Sequence, residues 1–163
     1  MRPPRRGDLA ALHAILGDAE AMALTHAEPD ARATRRRVLV HERMRRRDGC
    51  APWVAERRGD RAVIGWGGLY VDPFEPGWGV EVGFFFHRAA WGRGYASELT
   101  AAALEAADGP LALAEVGAMA HPENAGSRRV LEKAGFEAVR LLPERPRILY
   151  RRPRFGRAAG AGG

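Results

Sequence analysis

One glutamate, Glu81, sits inside the strongly apolar run Val80-Glu81-Val82-Gly83-Phe84-Phe85-Phe86. Burial in such a strand raises a carboxyl pKa and suits it to take a proton near neutral pH. The plainer alternative is a strand carboxylate paired with one of the chain's many arginines. The run breaks at His87-Arg88-Ala89-Ala90-Trp91 into Gly92-Arg93-Gly94-Tyr95-Ala96-Ser97. From Tyr95 the spacing of Leu99, Ala103 and Ala106 predicts a helix. A strand feeding a glycine loop that opens a helix offers backbone N–H groups at the positive end of the helix dipole, an anion site suited to phosphate. Gly92 and Gly94 admit phosphate oxygens without a Cβ in the way, and Arg93 adds a fork of donors. Taken alone, Gly-x-Gly also fits a tight strand–helix turn with surface arginines. Further on, Asn124 stands between a strand end and a helix, where its amide caps the helix or holds a ligand amide. Ser127 lies in the first turn of that helix, where its hydroxyl either does chemistry or satisfies the backbone.

The elements that must position these residues follow in order. Gly7-Asp8 and the spacing of Leu9, Leu12 and Leu16 predict an N-capped amphipathic helix ending at Gly17. Residues 18–30 have no clear assignment. Residues 31–47 read as a second helix with Val38, Leu39 and Met44 as its apolar stripe and arginines on the solvent side. Residues 53–56 and 62–70 form a hairpin. After the strand–loop–helix of residues 79–107 comes a strand over 111–120, parallel to the central one after a helical crossover. A short helix over 125–134 has Val130 and Leu131 facing in, and strands over 136–139 and 148–151 complete an α/β fold. Its mixed sheet carries helices on both faces. Residues 1–152 make one domain, and 153–163 read as a disordered tail.

The 163 residues suffice for one domain with a real core. The net charge of +6 comes almost wholly from arginine, since Lys133 is the only lysine. An arginine surface could favour a polyanion, but the basic runs lack the aromatic interleaving of a base-stacking platform, so nucleic acid is not the expected partner. Cys50 is the only cysteine, and the five histidines are scattered, so no metal site is expected. No run has membrane-spanning length, and the expected location is a reducing cytoplasm.

Two motifs together are more specific than either alone. Glu81 to Phe84 with Trp91-Gly92-Arg93-Gly94-Tyr95-Ala96-Ser97-Glu98, and Asn124-Ala125-Gly126-Ser127 through Ala134-Gly135-Phe136, resemble the GCN5-related N-acetyltransferase superfamily. The resemblance is strongest to its branch similar to the ribosomal-protein N-terminal acetyltransferases. The match is concentrated in residues 81–136. Two departures stand out: Trp91 replaces the usual Gln or Arg at the loop's start, and the first strand is truncated or the start misplaced.

The resemblance implies a splayed pair of central parallel strands, acetyl-CoA as co-substrate and a primary amine as acceptor. The amine would be a protein N-terminus or a small molecule, attacking directly in a ternary complex. It implies that Trp91, Gly92, Arg93, Gly94, Tyr95, Ala96 and Ser97 hold the pyrophosphate. Phe85, Phe86 and His87 would pair with the pantetheine arm, with Asn124 closing its far side. Glu81 becomes the candidate general base. The tyrosine that many members place on the last helix is here Leu131, and Ser127 is the substitute that the branch suggests for protonating the thiolate. Tyr95 and Tyr150 are further candidates. The acceptor would lie near His26, Trp66, Tyr70, Trp78 and residues 143–146. The protein would be a monomer or a homodimer.

Two other readings remain at this point. A dinucleotide-binding module would use the same glycine loop with Glu115 as its ribose-binding acid. A non-catalytic CoA- or RNA-binding protein would use the arginine surface.

Overall fold

The computed structural model describes residues 1–154. The tail expected from residue 153 falls outside them from residue 155 on. Among the described residues no helix is long and apolar enough to cross a membrane.

Helix α1 spans Leu9–Leu16 and ends at Gly17. Asp8 does not cap it. Its carboxylate instead receives two guanidinium nitrogens of Arg2, each at 2.7 Å, and the Arg5 amide at 2.6 Å. The arginine outcompetes the helix amides because its bidentate fork makes two charge-assisted hydrogen bonds between opposite charges, where a cap makes one to a neutral amide. Helix α2 spans Ala31–Asp48. Asp30 caps it through the Ala33 amide at 2.7 Å, and Gly49 closes it in the left-handed conformation at φ 74°. Its inward stripe is Thr34, Val38 and His41, a run of i, i+4, i+7. The expected stripe residue Leu39 is 47% exposed.

The sheet runs β1-β2-β3-β4-β6-β5, with β1 Trp53–Glu56, β2 Val63–Val71, β3 Val80–Phe86, β4 Glu115–Ala120, β5 Glu137–Leu142 and β6 Arg147–Pro153. Only β3 and β4 are parallel, joined by helix α3, Tyr95–Asp108. The expected strand over 111–120 begins only at Glu115. Residues 111–113 turn back onto the end of α3, with the Leu111 amide on Ala106 O and the Leu113 amide on Ala107 O. Leu111 and Leu113 thereby pack against the core from a turn.

Helices α3 and α4 (Ala125–Lys133) cover one face. There Leu69, Val82, Ala103, Leu104, Val116 and Leu131 are buried together. On the other face α1 and α2 bury Leu12, Leu16 and Val38 against Val54 and Trp66. Each such large side chain contributes about 1.5–3 kcal/mol by leaving water. Period-2 alternation divides β3 between the two layers: Val82 goes to the α3 side, while Glu81, Gly83 and Phe85 go to the α1–α2 side. Cross-strand partners Tyr70, Gly68 and Trp66 lie on that same side.

Candidate active site

Strands β3 and β4 are in register at a single pair, Glu81 and Gly117. Beyond it β3 continues along β2 alone, through Phe84–Gly67, Phe85–Trp66 and Phe86–Gly65. The two parallel strands therefore part toward their C-terminal ends, leaving a gap in the sheet. The His87 amide bonds Ile64 O at 2.9 Å. By the alternation of an antiparallel ladder, the backbone groups of Phe85 and His87 then face β2, and those of Phe84 and Phe86 face the gap. The Phe86 carbonyl receives the Trp91 indole N–H at 2.9 Å. Of the stretch 85–87, only Phe86 turns its backbone to the gap, and Phe84 joins it.

The glycine loop follows. His87 Nδ1 accepts the Ala89 amide at 3.2 Å and starts a short turn over Arg88–Ala90. Gly92 and Gly94 have φ of 72° and 81°, the left-handed region that favours glycine. A Cβ at either would meet nothing within 4 Å, so the loop presents bare backbone to open space. Helix α3 makes its first internal bond from the Glu98 amide to Gly94 O. The amides of Tyr95, Ala96 and Ser97 are thus those that a helix start leaves without an internal partner. With Arg93 beside them, this cradle fits a diphosphate.

Glu81, Phe85, Asn124 and Ser127 line one cavity of about 750 Å³ on the α1–α2 side of the gap. The loop residues Trp91 to Ser97 do not line it, and neither do Phe86 and His87. The candidate residues therefore fall into two groups, one at each end of the gap, joined by β3. Asn124 Oδ1 accepts the Ser127 amide at 3.0 Å, so it caps α4 as well as lining the cavity. Leu131 also lines the cavity.

Glu81 is 5% exposed, and its Oε1 has no hydrogen-bond partner. Burial pushes its carboxyl up to about 7, Asp72 and Glu75 add to the rise, and Arg151 and Arg147 oppose it. Arginines near Glu81 thus lower its pKa without reaching its buried oxygen. Tyr70 faces Glu81 across the ladder. Burial, with Glu81 and Asp72 behind it, raises the Tyr70 phenol. His41, buried in the same cavity wall, is pushed down to about 4, chiefly by burial.

His41 was invisible in the sequence, as one histidine in an arginine-rich helix. The segment 18–30, which had no assigned element, also lines the cavity through Met22, Thr25 and His26, the last of them expected near the acceptor. Arg88 ties the segment down through Asp18 at 2.9 Å and through Glu20, and Arg37 does so through Glu28. Other arginines are held in similar ion pairs, including Arg2 with Glu56, Arg57 with Asp60 and Arg152 with Asp108.

Several expected residues lie elsewhere. Trp78 does not line the cavity, and Arg140 stacks over its ring at 5.9 Å. Tyr95 stacks on Phe86, and Tyr150 is buried with its hydroxyl held by Arg128 Nε at 3.3 Å. Cys50 is buried, and burial raises its thiol to about 11, which disfavours the thiolate. Glu115 starts β4 at the end of the sheet opposite the glycine loop and pairs with Arg151 at 3.4 Å. A ribose-binding acid belongs at the other end of its strand, so the dinucleotide reading fails on topology. Among the described residues no three His, Cys, Asp or Glu side chains gather where they could hold a metal ion.

Residues 1–137 match the family described as the acetyltransferase (GNAT) domain. The uncharacterized protein YkkB of Bacillus subtilis (strain 168) is 28% identical over 151 residues, covering 91% of this chain and 88% of YkkB. An acetyltransferase structure from Agrobacterium tumefaciens str. C58 superposes with a TM-score of 0.79 at 21% identity, over 93% of this chain and 88% of that one. The spermidine N-acetyltransferase of Vibrio cholerae, solved with CoA and spermine, gives 0.72 at 19% identity, over 92% and 90%. A mixed sheet with splayed parallel strands, a glycine loop opening α3 and a family match over most of its length place this chain in the GNAT family of acetyltransferases.

Proposed function

We propose that the chain moves an acetyl group from acetyl-CoA to a primary amine by direct attack in a ternary complex. The observation that carries this reading is Glu81: a buried carboxyl with an unpartnered oxygen, on the cavity wall shared with Asn124 and Ser127, one strand's length from the glycine loop. When bound, acetyl-CoA supplies the thioester carbonyl that the amine attacks. The amides of residues 92–97, Arg93 and the Ser97 hydroxyl hold its diphosphate. The backbone of Phe84 and Phe86 lines the path of the pantetheine arm, much as a sheet edge receives an added strand. Phe85 contributes its ring, and His87 fixes the turn into the loop.

Glu81, with a pKa near working pH, takes the ammonium proton directly or through water, an effect worth roughly 10²- to 10⁴-fold in rate. Ser127, on the cavity wall one turn before Leu131, delivers a proton to the departing sulfur. A serine in that role agrees with membership of the branch similar to the ribosomal-protein N-terminal acetyltransferases. We assign the protein to that branch, in a reducing cytoplasm consistent with one buried thiol, as a monomer or homodimer.

Calorimetric titration tests the donor side. Acetyl-CoA binds saturably and added amine then releases free thiol, whereas NADH, NADPH and a short RNA do not bind. Saturable NADH binding, or no heat with acetyl-CoA, contradicts the reading.

A further inference from the structure

Every exposed residue of α2 other than Ala31 and Leu39 is an arginine: Arg32, Arg35, Arg36, Arg43, Arg46 and Arg47. They face away from the buried Thr34, Val38 and His41, and none of them lines the cavity. The acids of this helix are already engaged, Glu42 by Arg45 at 2.8 Å and Asp48 by Arg47 at 2.6 Å. Among the described residues, the side chains of Arg32, Arg35, Arg36, Arg43 and Arg46 have no ion pair, hydrogen bond or ring contact. Arg2, Arg88 and Arg152, by contrast, each hold a carboxylate.

Helix stability does not call for this arrangement. Arg32 repels Arg35 and Arg36 at i+3 and i+4, and Arg43 repels Arg46 and Arg47 in the same way. The helix dipole favours acids in the first turn and bases in the last, yet the first turn of α2 has no acid and carries Arg32. Only Arg46 and Arg47, in the last turn, gain from the dipole. Glutamates at some of these positions would keep the face in water equally well and add attraction along it.

The stripe runs about 21 Å from Arg32 to Arg46, and its middle is apolar. Leu39 is 47% exposed, with Arg35, Arg36, Arg43 and Arg46 at i−4, i−3, i+4 and i+7 around it. Guanidinium forks suit carboxylates and phosphates alike, so the leucine separates the two. A phosphate backbone offers Leu39 no contact, and this face has no aromatic ring on which a base could stack. A membrane surface takes up a helix by its apolar side, and that of α2 is buried in the core. A protein partner uses both features, since an apolar centre shielded by surrounding contacts is how interfaces hold. A partner helix climbs at the same rise per residue, so carboxylates on its successive turns meet arginines on successive turns of α2.

We propose that the outward face of α2 docks an acidic α-helix of a partner protein, with Asp or Glu on each turn and one apolar residue against Leu39. This surface is separate from the cavity and the glycine loop, and the proposal does not depend on the transferase reading.

The test measures binding of the whole protein to four probes at low salt. One is an alanine-based helical peptide of about 18 residues with glutamates along one face and a single leucine at its middle turn. Another has the same composition, reordered so that the acids surround the helix. Duplex RNA and vesicles of phosphatidylcholine with phosphatidylserine complete the set. The striped peptide binds saturably and about 10-fold or more tighter than the reordered one. The double variant Arg36→Glu with Arg43→Glu abolishes that binding, and Leu39→Ala weakens it about 5-fold or more. Circular dichroism and thermal melts show both variants folded, since each change lies on the surface and the charge reversals remove repulsion. Equal binding of the two peptides means that net charge alone is read, and overturns the proposal. Tighter binding of RNA or vesicles than of the striped peptide overturns it too, as does no saturable binding of that peptide or binding that survives in both folded variants.

Discussion

The Tyr70 hydroxyl stands 2.7 Å from the point a Cβ on Gly83 would occupy. Glycine at 83 is thus what lets the phenol lie flat across β3, between His41 and Glu81. Gly83→Ala forces the ring aside, and overpacking of this kind costs about 1–3 kcal/mol. Thermal melts show a lowered Tm, and acceptor KM rises because the cavity wall moves. Tyr70→Phe in the same chain recovers part of the stability by removing the oxygen. A Gly83→Ala protein as stable and active as the original would show that the contact is not tight.

Burial of Glu81 makes stability depend on pH with a definite sign. Its folded pKa, about 7, lies above its ordinary value of 4.5. The native state therefore holds this proton more tightly than the unfolded chain does. That contribution is full below pH 4.5 and is lost as pH rises through 7, by about 3 kcal/mol in all. Glu81→Gln lacks this titration. Denaturant melts from pH 4 to 8 show the variant gaining on the unmodified protein as pH rises, whereas parallel curves would contradict the assignment.

Gly94 has φ of 81° and empty space around its missing Cβ. Gly94→Val costs about 1–2 kcal/mol in backbone strain, which the domain survives. It also fills the space where phosphate oxygens approach the backbone. Calorimetry then shows a folded protein that no longer binds acetyl-CoA. Intact binding would refute the cradle.

Much of this arrangement is legible in the amino-acid sequence. Period-2 alternation around Glu81, glycines before a helix, and Asn124 ahead of another helix each encode a local rule, and the family match agrees with the fold and chemistry they imply. What stayed hidden depends on tertiary partners. Asp8 reads as a cap but is claimed by Arg2. Leu111 and Leu113 alternate like a strand but pack from a turn. Phe85 and Phe86 are neighbours in one apolar run, and only the register with β2 shows which backbone faces the gap. His41 falls on the inward i, i+4, i+7 stripe of α2, but a helical period does not tell a cavity wall from a core, and the segment 18–30 carries no period at all.

The pH dependence of kcat/KM for the amine, measured for the unmodified protein and for Glu81→Gln, tests the central claim most directly. The rate should rise with pH through an apparent pKa near 7 in the unmodified protein. In Glu81→Gln it should fall by roughly 10²- to 10⁴-fold and lose that limb, with acetyl-CoA affinity unchanged. The same limb in both proteins would remove Glu81 from the role of base.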